Sequence, residues 1–264
     1  MISPELSIIT INRNNAAGLI KTLESVRRQT WRNFEVIIID GASSDDSIKV
    51  LDGYMDIITV RVSEPDGGIY DAHNKGTRLA RGKYCLYLNS GDILYDKDVL
   101  QKAWDANPVE DIIYFDNMLD DGDRLVLGPN PPKLREYHFY GHGIWHQSLI
   151  ARYLFEKYGY YRTDYKISGD YEFFLRVILK YRVSFRYLPI VFVQYDTQGI
   201  SANPKYRKLN RNERRRAWIE NFGLLRYVGS FVILQFLLTY GVKKPLKCAL
   251  GSQIYAGLKR KLTH

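Results

Sequence analysis

The sequence has few cysteines, and its opening segment has no long apolar run. Cys85 and Cys248 are the two cysteines among 264 residues, and they have neither a disulfide framework nor a metal-ligand spacing. We therefore expect a reduced, cytosolic setting and no zinc site. The opening segment MISPELSIITINRN also lacks a basic start followed by an apolar core, so we expect no signal peptide.

Two phosphate-binding motifs are missing as well. A dinucleotide-binding protein carries Gly-x-Gly-x-x-Gly after its first strand, where this chain has NRNNAAG, and the sequence contains no Walker loop. Internal repeats and low-complexity segments are also absent. The composition is 45% hydrophobic and 14% aromatic, which is enough to bury a core and argues against disorder.

Charge is divided unevenly along the chain. Residues 201–264 hold 14 Lys and Arg against 2 Asp and Glu, a formal charge of +12, whereas residues 1–200 hold 24 against 27, or −3. A basic patch concentrates anionic partners, either nucleic acid or acidic lipid. No stacking platform accompanies the arginines, which disfavours nucleic acid.

Within the basic tail, residues 222–242 form an apolar segment. It is interrupted by Arg226, Gly229, Ser230 and Gln235. Its uninterrupted apolar part is therefore shorter than the roughly 20 residues that a spanning helix needs. With basic flanks, this pattern predicts an amphipathic helix that lies in the interface of an anionic membrane. The alternative is a core helix whose flanking charges are solvated.

Strand-like and helix-like segments alternate through the first 92 residues. Apolar runs at Leu6–Ile11 and Val36–Ile39, then ITVRVS and KYCLYL, predict four strands with helical spacing between them. This alternation predicts an α/β fold with a parallel, doubly wound sheet. Beyond Asp92 we predict a hairpin over IIYFDNMLDDGDRLVLGP, two helices and a final strand, VSFRYLPIVFVQYD, which together build an irregular wall beside the parallel half.

The four predicted strands all end in polar residues. These endings are Thr10 to Arg13, Asp40, Glu64 to Asp66, and Asn89 to Asp92. One such ending is a turn, but four on one side of a parallel sheet describe a rim for a polar ligand. A rim rich in carboxylates, with Arg13 and Lys75 nearby, suits a nucleoside diphosphate bridged by a divalent metal.

Six segments over about the first 200 residues resemble the inverting family-2 glycosyltransferases with a GT-A fold. They are SIITINRN, NFEVIIIDGASSD, SEPDGGIYDAHNKG, GKYCLYLNSGD, HQSLI and SGDYEFFLRV. The resemblance implies a GT-A-like α/β domain over residues 1–200, with a nucleotide-sugar half (1–92) and an acceptor half (93–200). A basic, amphipathic, membrane-associating helical tail (201–264) follows.

The resemblance also implies a nucleotide-sugar site. Its members are Thr10, Asn12, Arg13, Asp40, Asp66, Asn74, Lys75, Asn89 and Ser90. Asp40 is expected to accept a hydrogen bond from the base. NSGD stands where the family usually has an Asp-x-Asp metal motif, which leaves Asp92 as the ligand for Mn²⁺ or Mg²⁺; the alternative for Asp92 is a turn or helix-capping residue.

The family pattern places its catalytic carboxylate at Asp170. An acidic residue usually precedes it, and Gly169 stands there in this chain. The alternative is that Asp170 only caps the helix that follows. In the loop GHGIWHQ, we expect Trp145, His146 and Gln147 to line the sugar or acceptor pocket, whereas a metal site at His142 and His146 would need a helix there.

These features predict a metal-dependent, inverting glycosyltransferase. It would move a sugar from a nucleotide donor, by family habit a UDP-sugar, to a lipid-linked or cell-surface polysaccharide acceptor. We expect it in the cytoplasm, peripheral on the inner face of the membrane and without a nucleic-acid partner. The alternatives are a catalytically silent nucleotide-sugar-binding protein or membrane adaptor, and a nucleic-acid-binding α/β protein.

Overall fold

A mixed nine-stranded sheet forms the centre of the computed structural model, which describes residues 3–199 and 203–229. The strands are β1 Leu6–Asn12, β2 Phe34–Asp40, β3 Val60–Ser63, β4 Tyr84–Tyr87, β5 Ile93–Leu94, β6 Ile112–Asp120, β7 Leu125–Gly128, β8 Leu149–Ala151 and β9 Phe185–Asp196. The helices are α1 Ala16–Arg27, α2 Ser47–Asp52, α3 Ile69–Leu79, α4 Val99–Asp105, α5 Tyr153–Tyr158, α6 Gly169–Phe174 and α7 Arg207–Phe222. A 3-10 helix covers Glu136–Tyr140, and a π-helical stretch, Leu175–Lys180, continues α6.

The parallel half agrees with the sequence pattern. Strands β3, β2, β1 and β4 lie side by side in that order and run parallel. The run Val36–Ile39 is completely buried, as expected for a strand covered on both faces. The register sets Asn12 beside Asp40 and Asp40 beside Ser63, so the polar strand ends meet at one edge of the sheet.

The second half continues the same sheet, whereas the sequence pattern predicted an irregular wall beside the parallel half. Strand β4 pairs antiparallel with β8, and the sheet then runs through β6 and β9 to β5. The predicted hairpin of β6 and β7 and the predicted long strand β9 are confirmed. Strand β8 has only three residues, and its pairing with β4 joins segments far apart in sequence, so no local pattern revealed it.

Helix α7 lies within the predicted basic tail but packs against the acceptor half. Its Trp218 is 2% exposed, and its Glu213 accepts hydrogen bonds from the backbone N–H groups of Lys166, Ile167 and Ser168. These bonds fix the segment that leads into α6.

The predicted interfacial segment 222–242 is described only as far as residue 229, and Cys248 also lies outside the described residues. Across residues 3–199 and 203–229, no helix combines the length and apolar character needed to cross a bilayer.

Candidate active site

A cavity of about 510 Å³ opens where the predicted rim lies. Asn12 ends β1, Asn89 follows β4, and Asp66 follows β3; all three line the cavity. Asp170 from α6 and Asp196 from the end of β9 line the same cavity from the acceptor half. The two halves of the chain therefore contribute polar groups to one space, large enough for a substrate-sized molecule.

Eight of the predicted site residues line this cavity. They are Asn12, Arg13, Asp66, Asn89, Ser90, Asp92, His146 and Asp170. The assembly joins residues separated by more than 150 positions in sequence. Their chemical roles remain predictions, but the structure brings them to one place.

NSGD forms a tight turn and also contributes to the cavity. The Asp92 N–H donates to the Asn89 carbonyl at 2.9 Å, and Gly91 has a φ of 109°, which favours glycine at this position of the turn. Helix α1 holds the turn: Thr22 Oγ1 donates to the Asp92 carbonyl (2.7 Å) and accepts from the Gly91 N–H (3.0 Å). The turn fixes the backbone, so the Asn89 and Asp92 side chains are held in place.

The Asp92 carboxylate is buried and hydrogen-bonded on both oxygens. Oδ2 accepts from Gln147 Nε2 at 3.0 Å, and Oδ1 accepts from the Asp196 N–H at 3.2 Å. Gln147 is itself oriented by Asn117, whose Nδ2 donates to its Oε1 at 3.0 Å. Gln147 is 1% exposed and therefore holds Asp92 in place from inside the core.

His146 lies between the two candidate carboxylates. Its Nε2 is 3.8 Å from Asp92 Oδ2, and its Nδ1 is 3.8 Å from Asp170 Oδ2. Burial by itself lowers the pKa of His146, but the contact with Asp92 and the charges of both carboxylates outweigh it, so the net pKa is raised. The imidazole therefore lies within ion-pair distance of both carboxylates.

Asn89 connects His146 to a second histidine. Its amide is 3.3 Å from His146 Nε2 on one side and 2.9 Å from His73 Nε2 on the other. Burial lowers the pKa of His73 to about 4, so this ring is neutral near pH 7. An amide offers both a donor and an acceptor, which suits the space between two imidazoles.

Asp170 is in the first turn of α6 but does not cap it. Ser168 occupies the N-cap position, and Asp170 Oδ1 accepts from the Tyr171 N–H at 2.8 Å. The same oxygen accepts from the Tyr70 hydroxyl at 3.0 Å. Both hydrogen bonds go to Oδ1, whereas Oδ2 lies 3.8 Å from His146 Nδ1.

Asp40, which was expected to accept a hydrogen bond from the base, does not line the cavity. It is completely buried, and its two oxygens accept four hydrogen bonds from the Asn12 amide, the Ser43 N–H and hydroxyl, and the Ser63 hydroxyl. Desolvation raises its pKa, but these four donors outweigh that effect and lower it overall. In this structure Asp40 therefore orders the strand ends.

Five other predicted residues do not line the cavity. They are Thr10, Asn74, Lys75, Trp145 and Gln147. Asn74 exchanges two hydrogen bonds with the backbone of Tyr161, and Lys75 pairs with Glu64 at 2.7 Å. Trp145 Nε1 donates to the Gly128 carbonyl at 3.1 Å. These contacts give the side chains structural roles beside the site.

Several lining residues were not predicted. They include Asn15, Tyr70, His73, Tyr161, Tyr195 and Asp196. Tyr70 and His73 follow the Asp66 strand end at helical spacing, so an argument from α3 periodicity could have found them. Asp196 was not accessible to local reasoning, because the antiparallel pairing of β5 with β9, which sets Ile93 opposite Gln194, brings it beside Asp92 from about 100 positions away in sequence.

The residues that the structure describes do not by themselves fit a metal site. Within residues 3–199 and 203–229, no group of three or more His, Cys, Asp or Glu side chains is arranged to hold a metal ion. Both oxygens of Asp92 are already hydrogen-bonded. Asp66, Asp170 and Asp196 add further carboxylates to the cavity, with Arg13 beside them.

Residues 7–159 match the family model described as glycosyl transferase family 2. The chain belongs to this family. Curated relatives support the assignment: an uncharacterized glycosyltransferase of Mycobacterium tuberculosis is 36% identical over 208 residues, which cover 76% of this chain and 78% of that protein.

A second curated family-2 relative has a more specific description. It is a PGL/p-HBAD biosynthesis glycosyltransferase of Mycobacterium bovis, 29% identical over 220 residues that cover 77% of this chain and 81% of the relative. The chain is therefore a glycosyltransferase, and one of its relatives is named for PGL/p-HBAD biosynthesis.

Solved structures confirm the predicted GT-A fold. The family-2 chain matches S. aureus TarS 1–349 in complex with UDP-GlcNAc with a TM-score of 0.67 and 14% identity, over 92% of this chain and 75% of that one. It also matches the mannosyltransferase PcManGT of Pyrobaculum calidifontis, in complex with GDP-Man and Mn²⁺, with a TM-score of 0.56 and 15% identity, over 98% and 87% of the two chains. At these identities the likeness establishes the fold alone.

Proposed function

We propose that this family-2 glycosyltransferase moves a sugar from a nucleotide donor to an acceptor hydroxyl with inversion at the anomeric carbon. One observation carries the proposal: strand ends of the donor half and Asp170 of the acceptor half line a single cavity. A donor bound along the strand ends would have its sugar facing Asp170. Inversion then needs one base and no covalent intermediate.

Asp170 is the base in this proposal. Its Oδ1 is held by Tyr70 and by the Tyr171 N–H, and its Oδ2 takes the proton from the acceptor hydroxyl as that oxygen attacks. The carbon–oxygen bond to the diphosphate breaks on the opposite face of the sugar, and the nucleoside diphosphate leaves. Since the acceptor oxygen becomes acidic as the new bond forms, a carboxylate is a competent base.

We propose a nucleoside diphosphate sugar as the donor, with UDP as the first nucleotide to test. The family-2 assignment and the nucleotide complexes of two structural neighbours, TarS and PcManGT, support this choice. In this chain, Arg13 is the only Lys or Arg among the described residues that line the cavity, and it is placed beside Asn12 to meet an anion.

Metal dependence remains a proposal, and no catalytic step depends on it here. The complex of the Pyrobaculum mannosyltransferase contains Mn²⁺, whereas the described residues of this chain form no three-ligand group. The carboxylates of the cavity repel a diphosphate, so a divalent cation carried in with the donor would reduce that repulsion. Donor binding should therefore be measured with and without Mn²⁺.

We propose a lipid-linked or cell-surface saccharide as the acceptor, reached at the cytosolic face of a membrane. Two features support this: the +12 charge of residues 201–264, and a relative named for PGL/p-HBAD biosynthesis. At the start of the predicted interfacial segment, Leu224 is 52% exposed and Leu225 is 90% exposed. Exposed leucines beside arginines suit the interface of an anionic bilayer.

A two-part experiment tests the function. Thermal shift of the full chain with UDP-, GDP- and TDP-sugars, with and without Mn²⁺, identifies the donor, since a ligand that binds only the folded state raises the melting temperature. Nucleotide release from that donor is then compared between the wild type and Asp170→Asn, which we expect to lose about 10²–10⁴-fold in kcat while donor binding is retained.

Asp123→Asn, in the exposed β6–β7 turn, is the matched control and should keep wild-type kcat. Stabilisation by a donor without any nucleotide release would instead favour the second candidate, a silent nucleotide-sugar-binding protein. One observation supports this second candidate: the described residues contain no group of three side chains that could hold a metal ion. Absence of stabilisation by every nucleotide sugar would contradict both.

A further inference from the structure

Gly169 directly precedes Asp170, and the Tyr70 ring occupies the space into which a side chain at residue 169 would project. A Cβ atom at Gly169 would lie 2.7–2.9 Å from three carbons of the Tyr70 ring. No side chain fits there unless the ring moves. The ring of Tyr70, from the first turn of α3, thus fills the position beside Asp170.

Tyr70 uses that position to contact Asp170. Its hydroxyl is 3.0 Å from Asp170 Oδ1 and 2.6 Å from the Ile167 carbonyl. The hydroxyl has one proton, so it donates to one of these acceptors at a time. Asp170 and Ile167 both belong to the segment that enters α6, and either bond ties that segment to α3.

The phenol is suited to donate and not to ionise. Tyr70 is 4% exposed, and burial together with the charge of Asp170 raises its pKa well above the ordinary value. It stays protonated at neutral pH, and a hydrogen bond from a neutral hydroxyl to a carboxylate is stronger than one between neutral groups. The neutral phenol also adds no negative charge beside the carboxylate of Asp170.

Resting on the proposed function, we propose that Tyr70 is a positioning residue for the catalytic base: its hydroxyl holds Asp170 Oδ1, so that Oδ2 faces the acceptor. Tyr70 lies on α3, directly after the Asp66 strand end, and Asp170 lies on α6. The bond therefore joins the donor half to the acceptor half across 100 residues of sequence.

Kinetics of Tyr70→Phe test the proposal, because this change removes the hydroxyl and keeps the ring. With the donor selected from the UDP-, GDP- and TDP-sugar panel, we expect kcat to fall at least about tenfold, with the donor KM within about twofold of wild type. Tyr84→Phe is the matched control: Tyr84 is also buried, but its hydroxyl donates to the Glu110 carbonyl, away from the cavity.

A double-mutant cycle separates positioning from general structural support. In the Asp170→Asn background, Tyr70→Phe should change the residual kcat by less than about twofold, because the carboxylate it serves is gone. An equal loss of kcat in both backgrounds, or a rise in donor KM with kcat unchanged, would overturn the proposal. Gly169→Ala gives a second variant, which should lower kcat by pushing the Tyr70 ring away.

A spectroscopic measurement needs no donor. In protein labelled with ¹³C at the aspartate carboxyl carbons, the Asp170 resonance is identified as the one that is present in the NMR spectrum of wild type and absent from that of Asp170→Asn. It should move in Tyr70→Phe and in Gly169→Ala and stay in place in Tyr84→Phe; an unmoved resonance in Tyr70→Phe would refute the contact. If no nucleotide is released, or if Asp170→Asn releases it as fast as wild type, the proposed function is contradicted. The Asp170 resonance would still show whether Tyr70 contacts Asp170.

Discussion

At the scale of single residues, polar side chains at the strand ends divide into those that build the edge and those that face the cavity. Asp40 belongs to the first group, with four donors and no exposure. Asp170 belongs to the second, since it lines the cavity and is placed by two hydrogen bonds to one oxygen. The same residue type serves different purposes because the number of neighbouring donors differs.

Asp40→Asn should destabilise the fold at neutral pH. The amide keeps one acceptor oxygen and turns an NH₂ group toward donors, so we expect the free energy of unfolding to fall by about 2–3 kcal/mol. Urea unfolding followed by tryptophan fluorescence measures this. Asp123→Asn, on an exposed turn, should change it little.

The cost of Asp40→Asn should also depend on pH. The folded-state pKa of Asp40 is lowered from 3.8, so its stabilisation is present above the unfolded-state pKa and is lost as the pH falls through the folded-state value. The difference in unfolding free energy between wild type and variant should therefore stay constant well above pH 3.8 and narrow as the pH falls below that value. A difference that does not narrow would show that the charge of Asp40 contributes nothing.

At the scale of elements, α3 connects the sheet to the cavity. Its Gly76 lies against β1, where a Cβ atom would be 2.5 Å from Ile9 Cγ2, and its first two turns carry Tyr70 and His73 into the cavity. The close approach of helix and strand thus determines how far these two rings reach. A helix held further from the sheet would displace both.

Gly76→Ala should therefore be destabilising, although alanine favours helices. The added methyl group forces α3 away from β1, and overpacking of this kind costs about 1–3 kcal/mol. The matched control is Gly53→Ala at the end of α2, where φ is −78° and the nearest atom to the new Cβ is 3.4 Å away. Thermal unfolding of both variants provides the comparison, and equal melting temperatures would contradict the packing argument.

At the scale of the whole molecule, charge is segregated along the chain. A domain of slightly negative charge is followed by 64 residues of charge +12, and α7 joins the two because it packs on the acceptor half through Trp218 and Glu213. Exposed cations of α7 are therefore fixed relative to the cavity. If they bind a membrane, they determine how the cavity meets an acceptor at its surface.

A fourfold change on α7 tests this arrangement in the full chain. Replacing the exposed cations Arg207, Lys208, Arg211 and Arg215 by Gln should lower binding to phosphatidylglycerol vesicles at least about tenfold, since each basic residue near an anionic surface contributes about 1 kcal/mol. Cosedimentation measures the binding, with phosphatidylcholine vesicles as the neutral reference.

The control for the membrane test has the same net charge change. It replaces four exposed cations elsewhere, Lys21, Arg28, Lys133 and Lys157, by Gln. If both variants lose binding equally, net charge rather than the α7 surface is responsible. If neither loses it, α7 has no part in membrane binding.

The sequence by itself determined the parallel half of the fold and the polar endings of its strands. Burial on both faces produces continuous apolar runs, and runs such as Val36–Ile39 can be read without knowing any partner. The family motifs added Asp92 and Asp170, and both line the cavity. These features could be predicted because each is written in a short, contiguous stretch of chain.

Only the tertiary structure decided which groups surround those carboxylates. The pairing of β4 with β8, the approach of Asp196 to Asp92 and the contact of Tyr70 with Asp170 all join distant segments. In the folded structure, the side chains of Asp40, Asn74 and Gln147 make hydrogen bonds to neighbouring protein groups and do not line the cavity. Spatial neighbours satisfy or orient a buried polar group, and local sequence does not specify them.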